Sequence, residues 1–100
     1  MIIEQRDDDL WVLPKGDLDL SAAPDFAEAV GLARSSDAER IVIDLRGLEF
    51  LDSMGLGTIV RACTSPDGAR IALVEGAPNV MQVLRLSGLE SELTFRPAPR

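Results

Sequence analysis

Ser53 has the setting most open to chemistry. It follows Asp52 where a short extended Phe50-Leu51 gives way to a helical pattern of Leu56, Ile59, Val60 and Cys63. A hydroxyl at such a point either caps free backbone N–H groups or stands where a phosphate is electrostatically welcome. Position alone favours the cap. A nucleophilic serine needs a base, but the chain has no histidine and a single lysine, Lys15, with no suitable placement. Ser53 can still accept phosphate from another protein that supplies the chemistry, which makes it a substrate residue and leaves no catalytic residue to name.

The same absence of histidine removes Ser-His-Asp and Cys-His catalysis, histidine acid/base work and His-ligated zinc. Asp44 ends a β-branched run and invites comparison with phosphoacceptor receivers. Such a site needs an acidic cluster after the first strand to hold Mg²⁺ and a late lysine, so Asp44 reads as a structural carboxylate satisfying turn amides. Gly55 and Gly57 lack the third glycine of a dinucleotide loop, and no Gly-Lys-Ser/Thr occurs; small residues here allow close backbone approach. Asp7-Asp8-Asp9 reads as a solvated turn with no metal, and Cys63 as a small thiol on a buried face. Asp17 and Asp19 bracket Leu18 in an extended loop and share a surface with Ser53 only if the fold brings them together.

The elements that must position these residues follow from periodicity. Ile2 to Gln5 and Leu10 to Leu13 read as strands joined by a turn over Arg6–Asp9. Ser21 is the expected N-cap of a helix with Pro24 in its first turn and an apolar stripe of Phe26, Ala29, Val30 and Ala33. Ile41 to Leu45 is a buried strand and Gly47 a turn; the Ser53 helix stops at Thr64-Ser65-Pro66-Asp67-Gly68. Arg70 to Val74 is a further strand, Val80, Val83 and Leu84 form a third helical stripe before Ser87-Gly88, and Leu93 to Phe95 adds an edge strand. The expected fold is α/β, with four to five strands in a mixed, mostly parallel sheet and three or so helices.

A chain of 100 residues with 46% hydrophobic and 27% charged residues fits one small domain, expected over residues 1–96, with 97–100 as a frayed tail. One cysteine, no signal-peptide pattern and no apolar run of about 18 residues point to the cytoplasm. The net charge of −7 repels phosphate backbones, and the arginines are scattered, so neither nucleic acid nor membrane is an expected direct partner. Protein partners remain, with no cofactor; the chain itself is expected to be a monomer or weak dimer.

Three segments in order carry a resemblance. Gly16-Asp17-Leu18-Asp19 precedes an amphipathic helix; Ile41 to Leu45 runs into Phe50-Leu51-Asp52-Ser53-Met54-Gly55-Leu56-Gly57; Leu84-Arg85-Leu86-Ser87-Gly88-Leu89 follows. Together they resemble the STAS domain of bacterial anti-sigma factor antagonists over nearly the whole chain. The resemblance implies a small STAS-like α/β fold and a partner switch. The unphosphorylated antagonist binds an anti-sigma factor that is also a serine kinase, releasing the sigma factor, and phosphorylation breaks the complex. It implies Ser53 as the phosphoacceptor, Asp19 near it, and Asp19, Asp52, Ser53, Met54, Gly55, Leu56 and Gly57 as the partner-binding set. Met54 stands where the family usually has Ser or Thr, and the segment from Gly57 to Ile71 is short. A non-switching STAS subunit of a larger assembly, such as a lipid-transport ATPase complex, is the alternative.

Overall fold

A computed structural model describes residues 1–99. Strands β1 (Ile2–Arg6) and β2 (Asp9–Leu13) form a hairpin in which Arg6 pairs with Asp9, so the turn is only Asp7-Asp8. Asp7 adopts φ 56°, a left-handed conformation that aspartate tolerates better than most residues. After β3 (Gly16–Leu18) come α1 (Ala23–Arg34), β4 (Arg40–Asp44), β5 (Leu48–Leu51), α2 (Ser53–Cys63), β6 (Ile71–Val74), α3 (Pro78–Leu86) and β7 (Phe95–Arg96).

The main sheet has the order β1-β2-β4-β6-β7, antiparallel at β1–β2 and parallel elsewhere. Each crossover steps the same way along the sheet, so right-handed connections put α1, α2 and α3 on one face. Phe26, Ala29, Val30 and Ala33 of α1, Ile59 and Ala62 of α2, and Val80, Met81 and Leu84 of α3 join Ile41, Ile43, Ile71 and Leu73 in one core. Cys63 packs against it, and burial pushes its thiol up to about 11, which leaves the sulfur a poor nucleophile.

Among the described residues no helix covers the opposite face. Trp11, Val42 and Val74 are buried there together, with the Arg6 guanidinium 4.2 Å above the Trp11 ring and that of Arg96 5.4 Å away. Arg96 also pairs with Asp9, which holds Arg40 as well. The carboxyl-terminal segment is therefore anchored up to Arg96; the tail expected over 97–100 ends at Arg100, outside the described residues.

Several boundaries differ from the sequence expectation for local reasons. Leu45 leaves the strand for a 3₁₀ turn because the Asp44 carboxylate accepts the Arg46 N–H and bends the chain. Arg70 also lies in a 3₁₀ turn, its guanidinium donating to the carbonyls of Arg34 at the end of α1 and of Ser36 and Ala38 beyond it. The last strand shifts to Phe95–Arg96, although Thr94 O accepts the Leu73 N–H at 2.8 Å. Gly16–Leu18 and Leu48–Leu51, read as loop and short extended chain, pair in parallel as a second, two-stranded sheet.

Asp67 closes the connection from α2 to β6. Arg34 donates to it from Nη2 at 2.7 Å and Nε at 3.0 Å, and the Ser65 hydroxyl does so at 3.0 Å. Chiefly through Arg34, its pKa falls from 3.8 to about 2. A carboxyl whose folded pKa is depressed adds stability above its unfolded value and loses it as pH falls through the folded value. Asp67→Asn should therefore lower the urea midpoint most at neutral pH, with the gap to the parent closing between about pH 5 and pH 2. Unfolding curves across that range would show it; an unchanging gap would remove the charge-dependent role of this pair.

Candidate functional site

The short β3–β5 sheet delivers the site. Asp17 stands opposite Phe50 and Leu18 opposite Leu51, with a register shift after Gly16. Leu18 and Leu51 are buried and fasten the pair to the core, and Asn79 at the start of α3 donates to the Glu49 carbonyl at 2.8 Å from the other side. The Asp52 N–H continues the pairing to the Leu18 carbonyl at 3.3 Å. The chain thus leaves both strands at the same place, with 19–22 running beside 52–55.

Asp52, not Ser53, caps α2. Its Oδ1 accepts the N–H groups of Met54 and Gly55, both at 2.9 Å, while Oδ2 accepts the Leu20 N–H at 3.2 Å. An aspartate one residue earlier takes the cap because the helix begins at Ser53, which places the serine at its first position instead of before it. The Ser53 side chain is exposed, free of structural duty at the cap.

Ser21 does not cap α1 either: the cap position falls to Ala22, without a side-chain bond, and Asp19 instead holds the turn that leads into the helix. Its Oδ1 accepts the Ser21 hydroxyl at 2.9 Å and the N–H groups of Ser21 and Ala22 at 3.1 Å, and its carbonyl accepts the Ala23 N–H at 2.8 Å. The helix starts at Ala23, and Ser21 serves as a donor to Asp19. These bonds, led by the Ser21 hydroxyl, hold the Asp19 carboxyl below its ordinary value. Asp19 and Ser53 accordingly flank a single link, the Leu20-to-Asp52 hydrogen bond, and the fold does bring them to one surface.

Of the other residues expected there, Met54 is 46% exposed and Gly57 half-buried, whereas Gly55 is buried and Leu56 packs partly against the core. A Cβ on Gly55 would sit 2.2 Å from the Leu18 carbonyl oxygen and 2.9 Å from side-chain atoms of Leu18 and Leu51, so only glycine lets α2 start this close to β3. Gly57 has no such constraint, since a Cβ there meets only the tip of Arg61 at 3.2 Å. Sequence reading missed Leu20, 65% exposed, and Phe50, 48% exposed, which with Met54 are exposed apolar residues on the segments that meet at the Leu20–Asp52 bond. No periodic signal marks either one, because both lie in segments too short to show a face.

Asp44 stands apart from this surface. Its carboxylate is buried and accepts the Arg46 N–H at 3.0 Å and guanidinium bonds at 2.8 to 3.2 Å. Burial pushes its pKa up, but Arg46 outweighs that and holds it below the ordinary value. It is the structural residue expected of it. Among the described residues no three His, Cys, Asp or Glu side chains cluster as metal ligands.

Removing the double cap by Asp52→Ala should destabilise the protein by about 1–2 kcal/mol. Gly55→Ala should exceed that, because backbone must move. Gly57→Ala should be neutral or stabilising by up to about 1 kcal/mol from helix propensity. Urea unfolding of the three variants checks this ordering; equal effects at 55 and 57 would dismiss the close approach as a constraint.

A STAS domain family model matches residues 1–99. A STAS-domain containing protein of Pseudomonas aeruginosa is 31% identical over 84 residues, spanning 82% of each chain. Among solved structures, an anti-sigma factor antagonist from Mycobacterium paratuberculosis superposes with a TM-score of 0.87 at 26% identity, covering 97% of this chain and 84% of that one. A putative anti-sigma factor antagonist from Thermotoga maritima superposes at 0.82 with 25% identity, covering 98% and 86%. With a family match from end to end of the described residues and a mixed five-stranded sheet backed by three helices, the chain belongs to the STAS-domain family.

Proposed function

We propose that the protein is an anti-sigma factor antagonist. Its unphosphorylated form binds an anti-sigma factor with serine kinase activity, and phosphate on Ser53 breaks that complex. The observation that carries this reading is the exposed Ser53, outside the Asp52 cap, with Leu20, Phe50 and Met54 exposed on the segments that meet beside it. Exposed apolar residues on the segments beside a modifiable hydroxyl suit a surface that one partner covers and then leaves. Structural neighbours at 25–26% identity are an anti-sigma factor antagonist and a putative one, which supports the same class of partner.

The protein is a binding partner and kinase substrate in this reading, not an enzyme. The kinase transfers the γ-phosphoryl group of ATP to Ser53 Oγ, ADP leaves, and a base of the kinase takes the hydroxyl proton. The product carries about −1.5 to −2 extra charge beside Asp52, on a chain already at −7. Repulsion and desolvation of that charge under the partner eject it. Asp19 contributes by holding the turn that presents Leu20, and Met54 and Gly57 contribute surface. The action is cytoplasmic and direct on protein, without nucleic acid, membrane or cofactor, the antagonist acting as a monomer or weak dimer; among the described residues no helix is long and apolar enough to cross a membrane.

Mixing the purified protein with candidate anti-sigma kinases and ATP, mapping phosphate by mass spectrometry and following the complex by gel filtration tests this reading. Phosphate on Ser53 with loss of the complex is expected. Ser53→Asp should weaken binding more than about a hundredfold, or roughly 3 kcal/mol, and Ser53→Ala should stay bound in the presence of ATP. A stable complex indifferent to ATP and to Ser53→Asp would overturn the switch in favour of a scaffold subunit.

A further inference from the structure

The cap geometry poses a problem for a phosphate on Ser53. The helix N–H groups that would receive it, those of Met54 and Gly55, are already held by the Asp52 carboxylate. That carboxylate also repels a second anion. The compensating positive charge has to come from elsewhere in this fold. Lys15 sits at the far end of the β3–β5 pair, against Gly47. Arg34 is taken by Asp67 and Arg46 by Asp44.

Arg61 remains. Its side chain folds back along α2 toward the helix start, Nη2 donating to Thr58 Oγ1 at 3.2 Å and Nη1 lying 3.2 Å from where a Gly57 Cβ would be. Ser53, Gly57 and Arg61 follow one another at i, i+4 and i+8 on one side of the helix, each step about 5–6 Å between Cβ positions. Because residue 57 is glycine, no side chain stands between the serine and the guanidinium. Across the groove, α1 offers Arg61 only Ala27, Val30, Gly31 and the paired Arg34; its acids Asp25 and Glu28 line a different hollow, with Met1 and Ile3. Arg61 is exposed, and among the described residues its contact is a neutral hydroxyl, not a carboxylate.

We propose that Arg61 is the phosphate receptor of this protein: a phosphoryl group on Ser53 Oγ is held intramolecularly by the Arg61 guanidinium across the gap left by Gly57. Leaving Thr58, the long side chain swings toward the helix start and forms charge-assisted hydrogen bonds to the phosphate oxygens. This rests on the Ser53 switch and adds its internal ligand. It gives the phosphorylated form a defined local structure, in which modification both adds negative charge and withdraws a cation from the surface the partner meets.

The test uses the full chain with phosphoserine installed at 53 by synthesis, so that no kinase is involved. The second ionisation of the phosphate is followed by ³¹P NMR. With Arg61 in place its midpoint should lie lower, and Arg61→Gln should raise it by roughly half a pH unit or more. Arg61→Lys should fall between, keeping the charge and losing the fork. Trp11 fluorescence, remote from the site, reports that each variant is folded. Equal midpoints in the parent and Arg61→Gln would overturn the assignment, whatever a kinase does to Ser53. Absence of kinase modification in the earlier experiment, with the midpoint shift present, would overturn the switch alone.

Discussion

One carboxylate ties this site together. The two oxygens of Asp52 accept three backbone N–H groups, two from the first turn of α2 and one from Leu20 in the chain leaving β3. Each is a charge-assisted bond to a group that would otherwise seek water at an exposed turn. The link fixes the start of α2 against the start of the chain into α1, and it fixes where Ser53 points by exclusion, since the cap is filled without it. An amide or hydroxyl at 52 has fewer acceptor positions to serve both segments at once.

The close approach that this link requires is set by the residue with no side chain. Gly55 lets α2 touch the backbone of Leu18, and the small β3–β5 sheet carries that contact down to the core through Leu18 and Leu51. Above the core the site is fastened by these backbone contacts, while Leu20, Phe50 and Met54 stand exposed. Fastened backbone beneath exposed apolar side chains is the arrangement that keeps the ordering entropy of binding low. The opposite face of the sheet solves a different problem. There Trp11 is roofed by arginines instead of a helix, which closes the layer with residues that are themselves at home in water.

The sequence made the three helices and the main strands legible because each carries an apolar period long enough to count, as Phe26, Ala29, Val30 and Ala33 do. The mixed, mostly parallel character of the sheet followed from the alternation of strands and helices and from the opening hairpin. The β3–β5 pair was not legible: three and four residues carry no usable period, and the pairing joins segments some thirty positions apart. The two cap assignments erred for different reasons. Ser53 lost the cap to the aspartate one residue earlier, whose carboxylate is the stronger acceptor, and Ser21 lost it because the chain makes a turn around Asp19 and the helix starts only at Ala23. Ser53 stood out by its place at a helix start, Asp19 and Asp52 joined it as site residues through the family resemblance, and the pairing of their strands explains why they meet. Leu20 and Phe50 had no local signature at all.

That mistaken cap bears on how a modification at Ser53 can act. Were Ser53 the cap, phosphorylation would exchange the acceptor for the α2 N–H groups, and its effect would appear first in the stability of the helix. With Asp52 as cap, the hydroxyl can be modified while the Leu18–Gly55 contact and the Leu20 link stay intact. The energy of the modification is then expressed at the surface, in what a partner must desolvate and in what Arg61 can neutralise, and not in the fold. A small domain with a few kcal/mol of net stability to spare can host a switch of this kind because folding and signalling use different groups: the Asp52 carboxylate for one, the neighbouring Ser53 hydroxyl for the other.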